Sequence, residues 1–116
     1  MKSVLYYTGD PKGRIDLLAA CGPDALAFEE SKKGFEVDCL AIAKELKGRA
    51  ALFGNIDSVR GLAGGDAELK QAIERQRAAG LENDGRFVFS LGSPVPPSVP
   101  VERVRRYIDL ARHTVS

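Results

Sequence analysis

The sequence has little of several residue types that catalytic and metal sites depend on. It has no tryptophan, one methionine, one histidine and two cysteines among 116 residues. The one imidazole, His113, lies close to the C-terminal end, so no Ser-His-Asp or Cys-His catalytic set can be assembled. Cys21 and Cys39 lie on different predicted helices without metal-ligand spacing and make no disulfide framework. These absences exclude the common nucleophilic and zinc-centred sites.

Long apolar runs and a large net charge are also absent. No apolar stretch approaches the length that spans a bilayer, which predicts a protein without membrane segments. The formal net charge of +1 gives no indication of a general nucleic-acid-binding surface. The content of 44% hydrophobic and 28% charged residues is typical of a globular protein, so residues 1–116 are predicted to form a single domain.

The N-terminal sequence shows no secretory signal pattern. Met1 is followed almost directly by a strand-like run rather than by a charged segment and an apolar core. We therefore expect a cytoplasmic location, where both cysteines stay reduced.

Four apolar runs have the length of β-strands. Each is mostly continuous rather than alternating, which favours strands covered on both faces, as in parallel sheets. The runs are Ser3–Tyr7, Ala25–Phe28, Ala50–Phe53 and Phe87–Leu91.

Helical patterns follow each of these runs. They comprise Lys12–Ala20, Phe35–Leu46, Ala67–Ala79 and Val101–Thr114, with a possible short helix at Ser58–Ala63. Gly22, Gly48 and Gly80 are placed to end the first three helices, and Asp66 is placed to cap the third. Apolar residues of the last helix, among them Val115, recur at spacings of three and four.

The order of elements is therefore β-α repeated four times, which predicts an α/β fold with a parallel sheet and right-handed crossovers. Four units are half of an eight-unit barrel, which needs about 250 residues. The chain is thus either a small open sheet or half of a barrel. An open half leaves both outer strands unpaired. Two copies could close on each other, or an absent N-terminal half could supply the missing strands.

Ligands bind at the carboxyl ends of the strands in parallel α/β folds, so polar residues that follow each strand are site candidates. The substrate-binding candidates are Thr8, Asp10, Glu29, Asn55, Asp57 and Ser93. Glu29 is preferred to Glu30 because adjacent side chains point to opposite sides if the strand continues.

Structural interpretations of the same residues remain open. Asp10 precedes a proline and could form a turn, Asp57 could cap the short helix, and Asn55 could satisfy backbone groups in a tight loop. Farther along the chain, Arg103, Arg105 and Arg106 are interpreted as a solvated helix face.

The third strand carries the most specific motif. Its sequence, Arg49-Ala-Ala-Leu-Phe-Gly-Asn-Ile-Asp57, resembles the Gly-Asn-hydrophobic-Asp signature of the uroporphyrinogen decarboxylase family. Three more segments are similar in the same order: Val4–Asp10, Cys21–Glu29 and Phe87–Pro94, followed by the Pro-x-Glu helix start at Pro100–Glu102. The resemblance covers essentially the whole chain and implies the C-terminal half of a TIM (β/α)8 barrel.

The family includes the decarboxylases of porphyrin biosynthesis, which are lyases, and methyltransferases that act with corrinoid proteins. The methyltransferases bind zinc through a His-x-Cys pair and a further Cys, and the resemblance places Tyr6, Thr8 and Ser93 at these positions. None of the three is a good zinc ligand. The expected result is no zinc and no directly bound cofactor, with a corrinoid carried by a partner protein.

The decarboxylases have a histidine where this chain has Ser93, and their essential aspartate belongs to the N-terminal half. No catalytic residue is therefore assigned. Glu29 and the Gly-Asn-Ile-Asp stretch resemble the methyltransferase branch more closely, with uroporphyrinogen decarboxylation as the alternative. A third possibility is a non-catalytic half-barrel that binds a small molecule or a tetrapyrrole, dimerises, or completes a partner subunit.

Overall fold

The computed structural model of the chain describes residues 1–32 and 34–113. Its strands are β1 (Val4–Tyr7), β2 (Ala25–Phe28), β3 (Ala51–Phe53) and β4 (Phe87–Val88). Its helices are α1 (Ile15–Ala20), α2 (Cys39–Leu46), α3 (Arg60–Ala63), α4 (Asp66–Glu82) and α5 (Val101–His113). Within these described ranges, no helix combines the length and the apolar character that crossing a membrane requires.

The strands form one parallel sheet in the order β1-β2-β3-β4. Leu5 lies opposite Leu26, Leu26 opposite Leu52, and Leu52 opposite Phe87. A further parallel bridge joins Ile56 to Leu91 beyond the carboxyl ends of β3 and β4. The predicted α/β fold of four β/α units is confirmed, and the sheet is not closed into a barrel.

The two faces of this sheet differ because side chains alternate along each strand. One face carries the leucines of the register above and packs against the helices, which bury Ile15, Ile42 and Leu46 there. On the other face Val4, Tyr6 and Val88 are 53%, 49% and 44% exposed. Between them lie the small side chains Ala25, Ala27 and Ala51. We call this second side the uncovered face, and it is defined by these six residues together with Phe53, which lies opposite Val88.

Three predicted boundaries are wrong: the starts of the first two helices and the end of the last strand. The first helix begins at Ile15 rather than Lys12, because Gly13 has a φ of +76° in the preceding turn. The second begins at Cys39 rather than Phe35, since the Asp38 carboxylate caps it by accepting from the Leu40 amide at 3.1 Å. Strand β4 stops at Val88 rather than Leu91. The predicted end at Thr114 and the placement of Val115 lie outside the described residues.

The third predicted helix does not stop at Gly80, and α4 continues to Glu82. The chain turns afterwards, at Asp84 and Gly85, whose φ values are +58° and +75°. Gly80 has a packing role instead, because a Cβ there would lie 3.1 Å from the Cβ of Phe87. A glycine in a helical pattern therefore marks a close contact here, not a helix end.

The amino end of the sheet is closed by Asn83, which is fully buried. Its Nδ2 donates to the carbonyl oxygens of Ala50 at 3.0 Å and Arg86 at 2.8 Å, and its Oδ1 accepts from the Gly48 amide at 2.7 Å. The side chain therefore ties the turn before β3 to the turn before β4. The sequence analysis did not identify it.

A charged cluster joins α3, α4 and α5. Asp66 does not cap α4; it accepts hydrogen bonds from Arg103 at 3.0 Å and Arg106 at 2.9 Å. The hydrogen bond from Arg103 is the main cause that lowers the pKa of Asp66. Arg103 also donates to the carbonyl oxygens of Leu62 and Gly64. The interpretation as a solvated face is therefore wrong for Arg103 and Arg106.

Candidate active site

Asn55 lies directly beyond β3 and is only 7% exposed. Its Nδ2 donates to the carbonyl oxygens of Glu29 at 3.0 Å and Val37 at 2.8 Å. Its Oδ1 accepts from Gln76 Nε2 at 3.2 Å and from the Cys39 thiol at 3.1 Å. Both N–H groups and both acceptor positions of the amide are used, so Asn55 faces the protein interior.

The residues around Asn55 explain the glycine that precedes it. A Cβ at Gly54 would lie 2.1 Å from Gln76 Oε1, so only glycine leaves room for that amide. Burial is the main cause that raises the pKa of the Cys39 thiol to about 12, with the neighbouring Asp38 carboxylate adding to it. The thiol is therefore neutral near pH 7 and can donate its proton to Asn55.

Polar groups from three loops meet above the carboxyl end of the sheet. Ser93 Oγ lies 2.9 Å from each Glu30 carboxylate oxygen and 3.3 Å from Ser58 Oγ. Lys32 Nζ lies 3.2 Å from Glu30 and 3.9 Å from Glu29. We define the mouth cluster as these groups together with Tyr6: Tyr6, Glu29, Glu30, Lys32, Ser58 and Ser93.

Both glutamates face this cluster, so the expectation that at most one does is wrong. The alternation argument fails because β2 ends at Phe28, one residue before Glu29. Glu30, which the sequence analysis ranked below Glu29, makes the hydrogen bonds with Ser93 and is the more enclosed of the two. Lys32 was missed because it follows no predicted strand directly.

Tyr6 belongs to the mouth cluster and to the uncovered face at once. Its hydroxyl donates to the Gly92 carbonyl at 2.8 Å. Partial burial raises the pKa of Tyr6, and the negative charges of Glu29 and Glu30 raise it further. The pKa of Lys32 is also raised, first by its hydrogen bond to Glu30. The cluster therefore holds two carboxylates and one ammonium beside a neutral phenol.

Gly92 allows the loop after β4 to approach the loop after β2. A Cβ at Gly92 would lie 2.4 Å from the Glu30 backbone nitrogen, and the Gly92 amide donates to Ile56 O at 2.9 Å. Any larger residue would push the two loops apart. This contact keeps Ser93 within hydrogen-bonding reach of Glu30.

Asp57 has the structural role considered for it. Its Oδ1 accepts from the amides of Val59 and Arg60, both at 2.8 Å, at the start of α3. Its side chain also lines a polar cleft of about 470 Å³ whose other lining residues are Glu30, Ser31, Lys32 and Arg60. Within residues 1–32 and 34–113, the Arg60 guanidinium forms no salt bridge. It is a cation available to an anionic ligand.

Thr8 and Asp10 are exposed on the loop after β1. Asp10 Oδ1 accepts from the Lys12 amide at 3.0 Å, as expected of a turn residue. No side-chain hydrogen bond joins either residue to the mouth cluster in the described part of the chain. Their role in ligand binding stays a prediction.

No group of three or more His, Cys, Asp or Glu side chains in the described ranges is arranged to hold a metal ion. Tyr6 and Ser93, at two of the positions compared with zinc ligands, use their hydroxyls for Gly92 and Glu30. That the protein works without zinc stays a prediction.

A family model and several relatives of known name match the sequence of the chain. The family model described as Uroporphyrinogen decarboxylase (URO-D) matches residues 1–114. Proteins named uroporphyrinogen decarboxylase from Brucella ovis, Brucella canis and Brucella suis are each 39% identical over 110 residues, which is 90% of this chain. The chain spans 29% of the length of these relatives.

Proposed function

Because the chain belongs to the uroporphyrinogen decarboxylase (URO-D) family, we propose that it forms part of an active site that decarboxylates uroporphyrinogen. In this proposal the uncovered face of the sheet binds the tetrapyrrole. The mouth cluster binds the polar groups at its edge. The relatives named as decarboxylases support this branch of the family over the methyltransferases.

The observation that carries the proposal is the shape of the uncovered face. Ala25, Ala27 and Ala51 form its low part, and the larger side chains of Tyr6, Phe53 and Val88 stand beside them. Small side chains in this part of the sheet leave room for a flat ring system, and apolar neighbours favour its burial.

The charges at the edge of this face suit a ligand with many carboxylates. Arg60 forms no salt bridge within the described ranges and can bind a carboxylate through two N–H groups, and Lys32 supplies a second cation. Glu29 and Glu30 are acceptors for the pyrrole N–H groups. One side chain set can therefore bind both kinds of polar group on a tetrapyrrole.

We further propose that other strands cover this face, either from a second copy of the chain or from a further polypeptide segment. The relatives are more than three times as long, and β1 and β4 each have one unpaired edge. Light scattering on a sizing column tests the first option. A mass of twice 12.5 kDa supports pairing of two copies, and a monomer leaves the second option.

The binding test is a titration with uroporphyrin, the stable oxidised form of the ligand, followed by its absorbance. Ala27→Trp fills the centre of the uncovered face, and Leu81→Trp adds the same side chain to a position that is 77% exposed on α4. We expect Ala27→Trp to weaken binding at least about tenfold and Leu81→Trp to leave it unchanged. Equal effects of the two variants, or no binding to the chain either alone or with the missing strands supplied, would exclude the proposal.

A corrinoid-linked methyltransferase is the second candidate. Glu29 and the Gly-Asn-Ile-Asp stretch favour it, since these features resemble that branch. A corrinoid that binds to the unsubstituted chain and to Leu81→Trp but not to Ala27→Trp, in the absence of uroporphyrin binding, would support it. Tetrapyrrole binding without decarboxylation, even when the missing strands are supplied, would instead support a non-catalytic half-barrel.

A further inference from the structure

We propose that Asn55 is a positioning residue, which holds residues 29–32 and 34–37 of one segment so that Glu30 and Lys32 keep their geometry in the mouth cluster. The role of that geometry in tetrapyrrole binding rests on the proposed function. The positioning itself does not.

The geometry places Asn55 at both ends of this segment. One amide group donates to the carbonyl of Glu29, the first residue, and to the carbonyl of Val37, the last. Within the segment, the Val37 amide donates to Ser31 Oγ at 2.9 Å, and Lys32 forms an antiparallel bridge with Phe35. A single side chain therefore closes the loop that carries the charged residues.

The orientation of the Asn55 amide is itself fixed. Cys39 and Gln76 both donate to Oδ1, which leaves Nδ2 directed at the two carbonyl groups. Aspartate at this position would have no N–H to donate, and alanine would leave both carbonyls without this partner. Every hydrogen-bonding position of the Asn55 amide is used, and a buried amide held in this way rigidifies the groups that it joins.

The hydrogen bond to the Glu29 carbonyl affects the next residue, Glu30, in the mouth cluster. Glu30 comes directly after the residue whose carbonyl is held, so the direction of its side chain toward Ser93 and Lys32 depends on that hydrogen bond. When the Asn55 side chain is removed, the backbone at Glu29 and Val37 is free to shift. The distance of 3.2 Å between Lys32 Nζ and Glu30 should then lengthen.

The experiment compares Asn55→Ala with Asn83→Ala, which removes the other buried asparagine from the opposite end of β3. The readout is the pKa of Lys32, measured by NMR on lysine labelled with ¹³C and assigned with Lys32→Arg. The hydrogen bond that Lys32 donates to Glu30 raises this pKa, and Glu29 and Tyr6 raise it further. We expect the pKa to fall toward its ordinary value in Asn55→Ala and to stay raised in Asn83→Ala.

An unchanged Lys32 pKa in Asn55→Ala, or an equal fall in both variants, would overturn the positioning role. If Asn55→Ala does not fold, Gln76→Met replaces it. This variant removes one donor to Asn55 Oδ1 and should lower the Lys32 pKa by a smaller amount. No change there would count equally against the proposal.

A second readout separates this inference from the proposed function. Uroporphyrin affinity should fall about tenfold in Asn55→Ala, as when groups that support a binding site are lost, and stay constant in Asn83→Ala. If the Lys32 pKa falls in Asn55→Ala but the unsubstituted chain does not bind uroporphyrin, the positioning role is supported and uroporphyrin is excluded as the ligand. Tight uroporphyrin binding with an unresponsive Lys32 pKa rejects the positioning role alone.

Discussion

The two ends of β3 each carry a buried asparagine, and the surroundings of the two differ. Asn83 at the amino end bonds only to backbone groups of two short turns. Asn55 at the carboxyl end bonds to both ends of a longer segment and to two other side chains. The same residue type thus closes a tight base at one end and supports a charged loop at the other.

The backbone near each asparagine shows the same difference. At the amino end Lys47, Gly48, Asp84 and Gly85 all have positive φ values between 52° and 77°, so the turns there are compact. At the carboxyl end the loops instead approach through Gly92 and present charged side chains. In parallel α/β folds the amino ends of the strands serve stability and the carboxyl ends serve ligand binding, and the two ends of this sheet differ in the same way.

The largest expected effect is on stability, and it should be similar at both ends. Asn83→Ala leaves the Gly48 amide and the Ala50 carbonyl without this partner, while the Arg86 carbonyl keeps its bond from the Leu52 amide, and each group left unpaired costs about 1–3 kcal/mol. We expect a loss of about 3 kcal/mol in the free energy of unfolding, measured by urea denaturation, and a comparable loss for Asn55→Ala. A loss below about 1 kcal/mol at either end would break the comparison.

A glycine pair tests the two ends with a smaller change. Gly92→Ala forces a Cβ against the Glu30 backbone, and overpacking of this kind costs about 1–3 kcal/mol. Gly48→Ala, the matched control, is strained by its φ of +77°, at about 1–2 kcal/mol. Both should lower the urea midpoint. Only Gly92→Ala should also shift the NMR signals of Lys32, and a shift of equal size in Gly48→Ala would contradict the separation of the ends.

Tyr107 provides the opposite case, a buried side chain whose hydroxyl has no hydrogen-bond partner among residues 1–32 and 34–113. Tyr107→Phe should therefore stabilise the chain by about 1 kcal/mol, in contrast to loss of either satisfied asparagine. Desolvation raises the pKa of Tyr107 from 10.0 to about 12. Because the folded pKa is the higher, stability should fall as pH rises through that interval.

The pH dependence checks this interpretation of Tyr107. Urea denaturation between about pH 8 and pH 11 should show less alkaline loss in Tyr107→Phe than in the unsubstituted chain. Identical alkaline profiles would mean that the hydroxyl is solvated. Cys39 contributes to the alkaline loss in both proteins, since its folded pKa is also raised.

The smallest expected effect is on the rate at which the cysteine thiols react with a thiol reagent. Cys21 is exposed and Cys39 is buried beside Asn55, with the pKa of its thiol raised to about 12. At about pH 8 a thiol reagent should modify one cysteine quickly in the folded chain and both after unfolding. Asn55→Ala should speed the reaction of Cys39, and Asn83→Ala should not. Rapid modification of both thiols in the folded chain would show that the carboxyl end is open.

The sequence was sufficient for the fold because parallel order follows from the alternation of elements, and this needs only local patterns. Boundaries were less predictable, since the start of α2 depends on the Asp38 cap and the length of α4 on a turn beyond Gly80. The mouth cluster was predictable in part. Ser93 and both glutamates follow strands, whereas loop geometry alone brings Lys32 to the cluster and Arg60 to the polar cleft beside it.

The two buried asparagines show most clearly what a local sequence pattern cannot predict. Asn55 stood out by its position after a strand, but its partners Val37 and Gln76 are distant in sequence. Asn83 gave no signal, because a polar residue after a helix is ordinarily solvent-exposed. Burial of a polar side chain depends on tertiary contacts that no local pattern contains.

The position of the hydrophobic core bears on the order of assembly. Both clusters of buried apolar residues lie on the helix side of the sheet or among the helices, and the uncovered face contributes little to them. The chain can therefore complete its own core by itself. If two copies pair as proposed, their joining is a docking step between two folded units, governed by concentration rather than by chain collapse.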